Sequence, residues 1–239
     1  MNFRELVAQL GGHTASSLGI DLESGPGLEC WLWVAALASG RAGEPVAAAA
    51  FRVLEASELI EPSALARAPL VALCDVLAGA GVAKADVAAI QLQTLAKALH
   101  GRDLERITAE AESLGTLGGS LVALAPGFGP TAASRFLRPL RERLPIADEL
   151  PLTREAAAAG VHLGWLDADG DLELAPGTLR AALRQEPDGP AFRDVEAALE
   201  RLGRASCTRR RPTRCPLAER CPALHSESAA GVASLGVSD

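Results

Sequence analysis

The segment Pro126-Gly127-Phe128-Gly129-Pro130-Thr131-Ala132-Ala133 restricts the folds open to this chain more than any other. Two glycines and two prolines within five residues stop one helix, reverse the chain tightly and start another. Ahead of the turn, Leu117, Leu121 and Leu124 share one helical face; behind it, Ala133, Phe136, Leu137 and Leu140 do the same, while Arg135 and Arg138 point elsewhere. Pro130 suits the first position of a helix with Gly129 as its cap. The expected unit is a helical hairpin whose corner exposes backbone N–H groups at a helix N-terminus. Bare amides and the helix dipole there favour an anion such as a phosphate. A nucleic-acid backbone gripped in this way is held without its sequence being read.

Composition agrees with a helical fold. Of 239 residues, 49% are apolar, much of that alanine, with no tyrosine and few β-branched runs. Such a chain packs helices on helices, so the fold class expected is all-α. Helices are expected near 3–10, 29–39, 45–56, 69–79, 84–99, 102–113, 117–124, 130–143, 153–162, 176–185 and 190–203, with a glycine-, serine- and proline-rich connection over 11–27. Trp31 and Trp33 fall in an all-apolar run and read as core. The longest apolar stretch, 28–38, is too short to span a bilayer, and the polar start is not a targeting segment. Five cysteines without a secretory signal point to a reducing cytoplasm.

Net charge is −7, against a protein coated in positive potential. Yet Arg204, Arg209, Arg210, Arg211, Arg214 and Arg220 lie within seventeen residues that hold one acid, Glu219. A local basic patch on an acidic body suits a footprint on one face, or a solvated arginine loop.

The P-G-F-G-P-T-A-A segment followed by S-R-F-L-R resembles the hairpin of the helix-hairpin-helix DNA glycosylase superfamily, the endonuclease III relatives. Further resemblances keep the expected order: Cys30–Arg41 to a buried helix ending in a DNA-facing loop, Leu77-Ala78-Gly79-Ala80-Gly81 with Lys84-Ala85 to the I-G-L-Y-x-x-K-A segment, and Val161–Trp165 to a helix end beyond the catalytic aspartate. Together they span roughly residues 28–222. The resemblance implies a two-lobed helical fold: one lobe from 1–27 plus 113–203 with the hairpin at 117–143, a second over 28–112, an Arg/Cys loop at 204–225, and a disordered tail over 226–239. It implies a monomer that binds double-stranded DNA, cytoplasmic and nucleoid-associated when bound, and that flips a damaged base out of the duplex.

For the chemistry, the resemblance implies a catalytic aspartate and, in bifunctional members, a lysine just after the hairpin. That lysine position is Thr131, and arginine cannot replace it because guanidinium stays protonated. Schiff-base lyase activity is therefore not expected. Asp148, seventeen residues after Thr131, matches the aspartate by one register; counting back from Leu163-Gly164 puts Thr153 there instead. In the first register Asp148 stabilises charge as the base departs. In the second, the carboxylate is lost and the protein is a catalytically silent DNA-binding module. Candidate DNA contacts are Gly127, Phe128, Gly129, Thr131, Arg135, Arg209, Arg210 and Arg211, with Arg41 as a wedge or a plain surface arginine.

Superfamily members often bind a [4Fe–4S] cluster through four cysteines after the last helix. Here Cys215 and Cys221 keep that spacing, but Pro212 stands where a ligand is expected. Three readings stay open: a cluster completed by His225 or another ligand, zinc held by Cys207, Cys215, Cys221 and His225, or no metal. Cys30 and Cys74 read as small buried residues.

Overall fold

A computed structural model describes residues 1–39, 43–171, 173–208 and 215–224. The protein is all-helical, and no strand occurs among the described residues. Its chain forms two compact units, Thr14–Glu149 and a second made from Met1–His13 with Leu150–Asp239. A unit assembled from both ends was expected, but its borders fall elsewhere. The 117–143 hairpin belongs to the continuous unit, because its second helix docks on that unit's central helix.

The continuous unit contains α2 (Thr14–Leu18), α3 (Gly25–Ala38), α4 (Gly43–Ala56), α5 (Pro62–Arg67), α6 (Leu70–Gly79), α7 (Ala85–Leu99), α8 (Leu104–Ala109), α9 (Leu114–Val122) and α10 (Pro130–Leu137). Helix α3 is its axis: Trp31, Leu32, Trp33, Val34 and Ala35 are wholly buried. A helix apolar all round must be enclosed on every side, and α4, α7, α8 and α10 pack around it. Both indoles find acceptors, as buried Trp N–H groups require. Trp31 Nε1 donates to the Phe136 carbonyl at 3.0 Å and Trp33 Nε1 to the Ile60 carbonyl at 2.9 Å. The helix starts earlier than expected because Ser24 caps it, its hydroxyl accepting the Gly27 N–H, with Pro26 in the first turn.

The second unit packs α1 (Phe3–Leu10) and α11 (Arg154–His162) against α13 (Phe192–Leu202), with α12 (Ala175–Leu183) sharing the core. Phe3, Leu6, Leu179, Phe192, Val195, Leu199 and Leu202 fill it. Glu186 caps α1 from a distant loop, accepting the Phe3 and Arg4 amides at 2.9 and 3.2 Å. Helix α13 continues into a π-helical turn, Gly203–Cys207. None of the described helices is long and apolar enough to cross a membrane.

Candidate nucleic-acid interface

The corner is built residue by residue. Helix α9 is opened by a reciprocal cap between Ser113 and Thr116. It carries Leu117 and Leu121 inward, both wholly buried. The chain then turns: the Phe128 amide donates to the Ala125 carbonyl at 3.1 Å, and Gly127 adopts φ +87°, a conformation that disfavours any side chain. Phe128, 1% exposed, pins the turn to the core. Gly129 is extended (φ −89°, ψ −177°), the backbone expected before a proline, and caps α10 with no side chain. Its carbonyl accepts the Ala133 N–H at 3.1 Å, which starts the helix. The Trp31–Phe136 bond then fixes α10 on α3.

This corner faces solvent. Gly127, Pro130 and Thr131 are exposed and Gly129 is half-buried. A Cβ placed on Gly129 would meet no atom within 4 Å. None of the described residues accepts a hydrogen bond from the Gly129, Thr131 or Ala132 amides. Four N–H groups at every helix start lack an intrahelical partner, and here no capping side chain replaces one. Phe128, a candidate DNA contact, instead spends its amide on Ala125 and its ring on the core, and Pro130 has no N–H. The open donors at the helix start are the Gly129, Thr131 and Ala132 amides.

Arg135 was expected to face outward for DNA. It sits 20% exposed and donates from Nη1 to Glu44 Oε1 at 3.0 Å. Beneath the corner, the Gln91 side chain lies 3.7 Å from where a Gly127 Cβ would stand, with Nε2 buried and unpartnered among the described residues. Neither Glu44 nor Gln91 carried a sequence signal. Glu44 reads as a first-turn acid and Gln91 as one polar residue of an amphipathic helix.

The two candidate catalytic positions differ in kind. Thr153 is a helix cap, its Oγ1 accepting the Ala156 N–H at 3.1 Å. Asp148 lies half-buried on a 3₁₀ turn, Pro145–Glu149. That turn is held by Arg141, itself 2% exposed, whose Nη1 donates to the Ala147 carbonyl at 2.8 Å and to the Asp148 carbonyl at 3.4 Å. Asp148 belongs to the same unit as Thr131, and Thr153 to the other.

The loop cysteines Cys207 and Cys215 pack against the core of the second unit, and Cys215 and Cys221 lie near Cys207. Cys221 is 4% exposed, its Sγ 3.6 Å from the His162 carbonyl oxygen. Burial, then the neighbouring Cys215 and Cys221, push the Cys207 thiol up to about 11. The other two cysteines, Cys30 and Cys74, belong to the continuous unit. A four-thiolate cubane therefore does not fit this loop, which holds three thiols. Among the described residues no group of three His, Cys, Asp or Glu side chains is arranged for a metal ion. His225, Arg41, Arg209, Arg210, Arg211, Pro212, Arg214 and the 226–239 tail lie outside the described residues.

Comparison with protein-family models and with curated proteins gave no match.

Proposed function

We propose that this chain binds double-stranded DNA through the 126–131 corner, in the manner of the helix-hairpin-helix glycosylases it resembles. The observation that carries the reading is the exposed N-terminus of α10, where the Gly129 and Thr131 amides have no acceptor among the described residues and no side chain covers them. A phosphodiester oxygen supplies what those donors lack, and the helix dipole favours its charge. Arg209, Arg210 and Arg211, outside the described residues, are further candidate phosphate contacts of this reading.

If the protein is also an enzyme, it is a monofunctional N-glycosylase. Thr131 offers no amine, so strand cleavage through a Schiff base is absent from the proposed chemistry. In this reading Asp148 stabilises positive charge on the sugar as the base leaves. A silent DNA-binding module is the second reading, favoured by one observation: Thr153 is consumed as a cap, leaving Asp148 as the single candidate acid. For the loop, a tetrahedral zinc site needs His225 beside the three thiols. Zinc found in purified protein by elemental analysis supports that set, and a visible charge-transfer band would restore the cluster instead.

The direct test is duplex binding over a salt series with Gly129→Val. Residue 129 is extended and faces open space, so valine folds there while covering the amides. Affinity should fall about tenfold, the loss of one or two charge-assisted hydrogen bonds. Unchanged affinity in the folded variant removes the corner as the site. Base release from damaged duplexes, lost in Asp148→Asn, separates the enzyme from the silent module, and wild-type protein should give no borohydride-trapped adduct with an abasic duplex.

A further inference from the structure

An ion pair lies beside the corner. Arg135 lies one turn beyond Thr131 on the same face of α10. Helical side chains lean toward the preceding turn, so Arg135 leans toward the opening turn of that helix. Its Nη1 donates to Glu44 Oε1 at 3.0 Å, and Glu44 Oε2 accepts from Thr14 Oγ1 at 3.2 Å. The two charged side chains are 20% and 21% exposed, open enough for a ligand to reach. Arg135 Nε is buried and has no partner among the described residues. A guanidinium carries five N–H donors in a planar fork that fits a phosphodiester as well as a carboxylate. Here that fork is held at one corner by a carboxylate that Thr14 anchors from another helix.

We propose that Glu44 is an internal competitor for Arg135 that lowers the affinity of the hairpin for DNA. With the pair closed, a strand meets backbone amides and a neutralised arginine. With the pair open, Arg135 offers the same phosphate, or its neighbour, a charged fork. This regulation rests on the DNA-binding reading of the corner. It sets a low resting affinity on an acidic protein and a larger one wherever a phosphate displaces the carboxylate.

The test uses the full chain, a short duplex and fluorescence anisotropy across a salt series, with Glu44→Gln and the double variant Glu44→Gln/Arg135→Gln. Glu44→Gln should tighten binding about three- to tenfold at low salt and steepen the log–log salt slope by about 0.9, one phosphate contact. The double variant should lose that gain. Unchanged affinity and slope in folded Glu44→Gln overturn the proposal, as does a gain that survives removal of Arg135, which would mark a general charge effect. Should Glu44→Gln fail to fold, Thr14→Val loosens the same carboxylate and should give a smaller gain in the same direction; no gain overturns the proposal. Wild-type binding that depends on Gly129 but ignores Glu44 ends the competition alone. Failure of both wild type and Glu44→Gln to bind ends the hairpin reading with it.

Discussion

Two thiols are held protonated by where they sit. Burial pushes Cys30 up to about 11, helped by the carboxylates of Glu29, Glu61 and Glu55, and burial with two neighbouring cysteines does the same for Cys207. Thiolate is the reacting species, so alkylation of both by iodoacetamide, followed by mass spectrometry, should be slow at pH 7 and accelerate toward pH 11. Fast labelling at neutral pH would contradict these environments. Glu29 is the matching carboxyl: burial, then Glu61 and Asp103, raise its pKa above the ordinary value. A carboxyl raised in the folded state favours folding below its unfolded pKa, and that contribution is lost as pH rises through the folded one. Glu29→Gln should therefore raise the melting temperature at pH 7.5 and gain less near pH 4. Loop cysteines were legible as a group from their spacing. The acids around Cys30 were not, since residues 55 and 61 lie far from residue 29 in sequence and meet it only in the fold.

Helix boundaries follow local chemistry where a cap is visible and depart from it where packing or proline intervenes. Thr153 caps α11, so Thr153→Ala should cost about 1 kcal/mol of stability by denaturant melt. Helix α10, expected to reach 143, stops at Leu137 and runs on only as a 3₁₀ turn, Arg138–Leu140, because Pro139 has no N–H to continue the ladder. Helix α5 went unread, being six residues long, too short for a periodicity to register. At the corner the two glycines separate. Gly127 is required by its positive φ, whereas Gly129 is required for its bare amide. Gly127→Ala should destabilise by about 1–2 kcal/mol, while Gly129→Ala should leave the melt nearly unchanged. A third glycine answers to packing alone. A Cβ on Gly203 would stand 1.9 Å from the Glu155 carbonyl oxygen, so Gly203→Ala should cost about 3 kcal/mol by pushing α13 and its π turn off α11.

Across the molecule, an overall charge of −7 sets the scale on which DNA binding is read. Counterion release makes affinity for duplex fall between low and physiological salt, with a log–log slope near −0.9 per phosphate held, and screening of the acidic body's repulsion makes that fall shallower. A salt-insensitive complex would point away from backbone recognition. Composition alone determined the helical class, because an alanine-rich chain poor in β-branched residues has no competitive sheet. Sequence also located the corner at 126–130, since glycine and proline act on the backbone through their own covalent structure. Tertiary structure alone decided that Phe128 is core and that Arg135 meets Glu44. Those outcomes depend on groups brought together from distant segments by burial of the α3 indoles, and no local pattern encodes such a meeting.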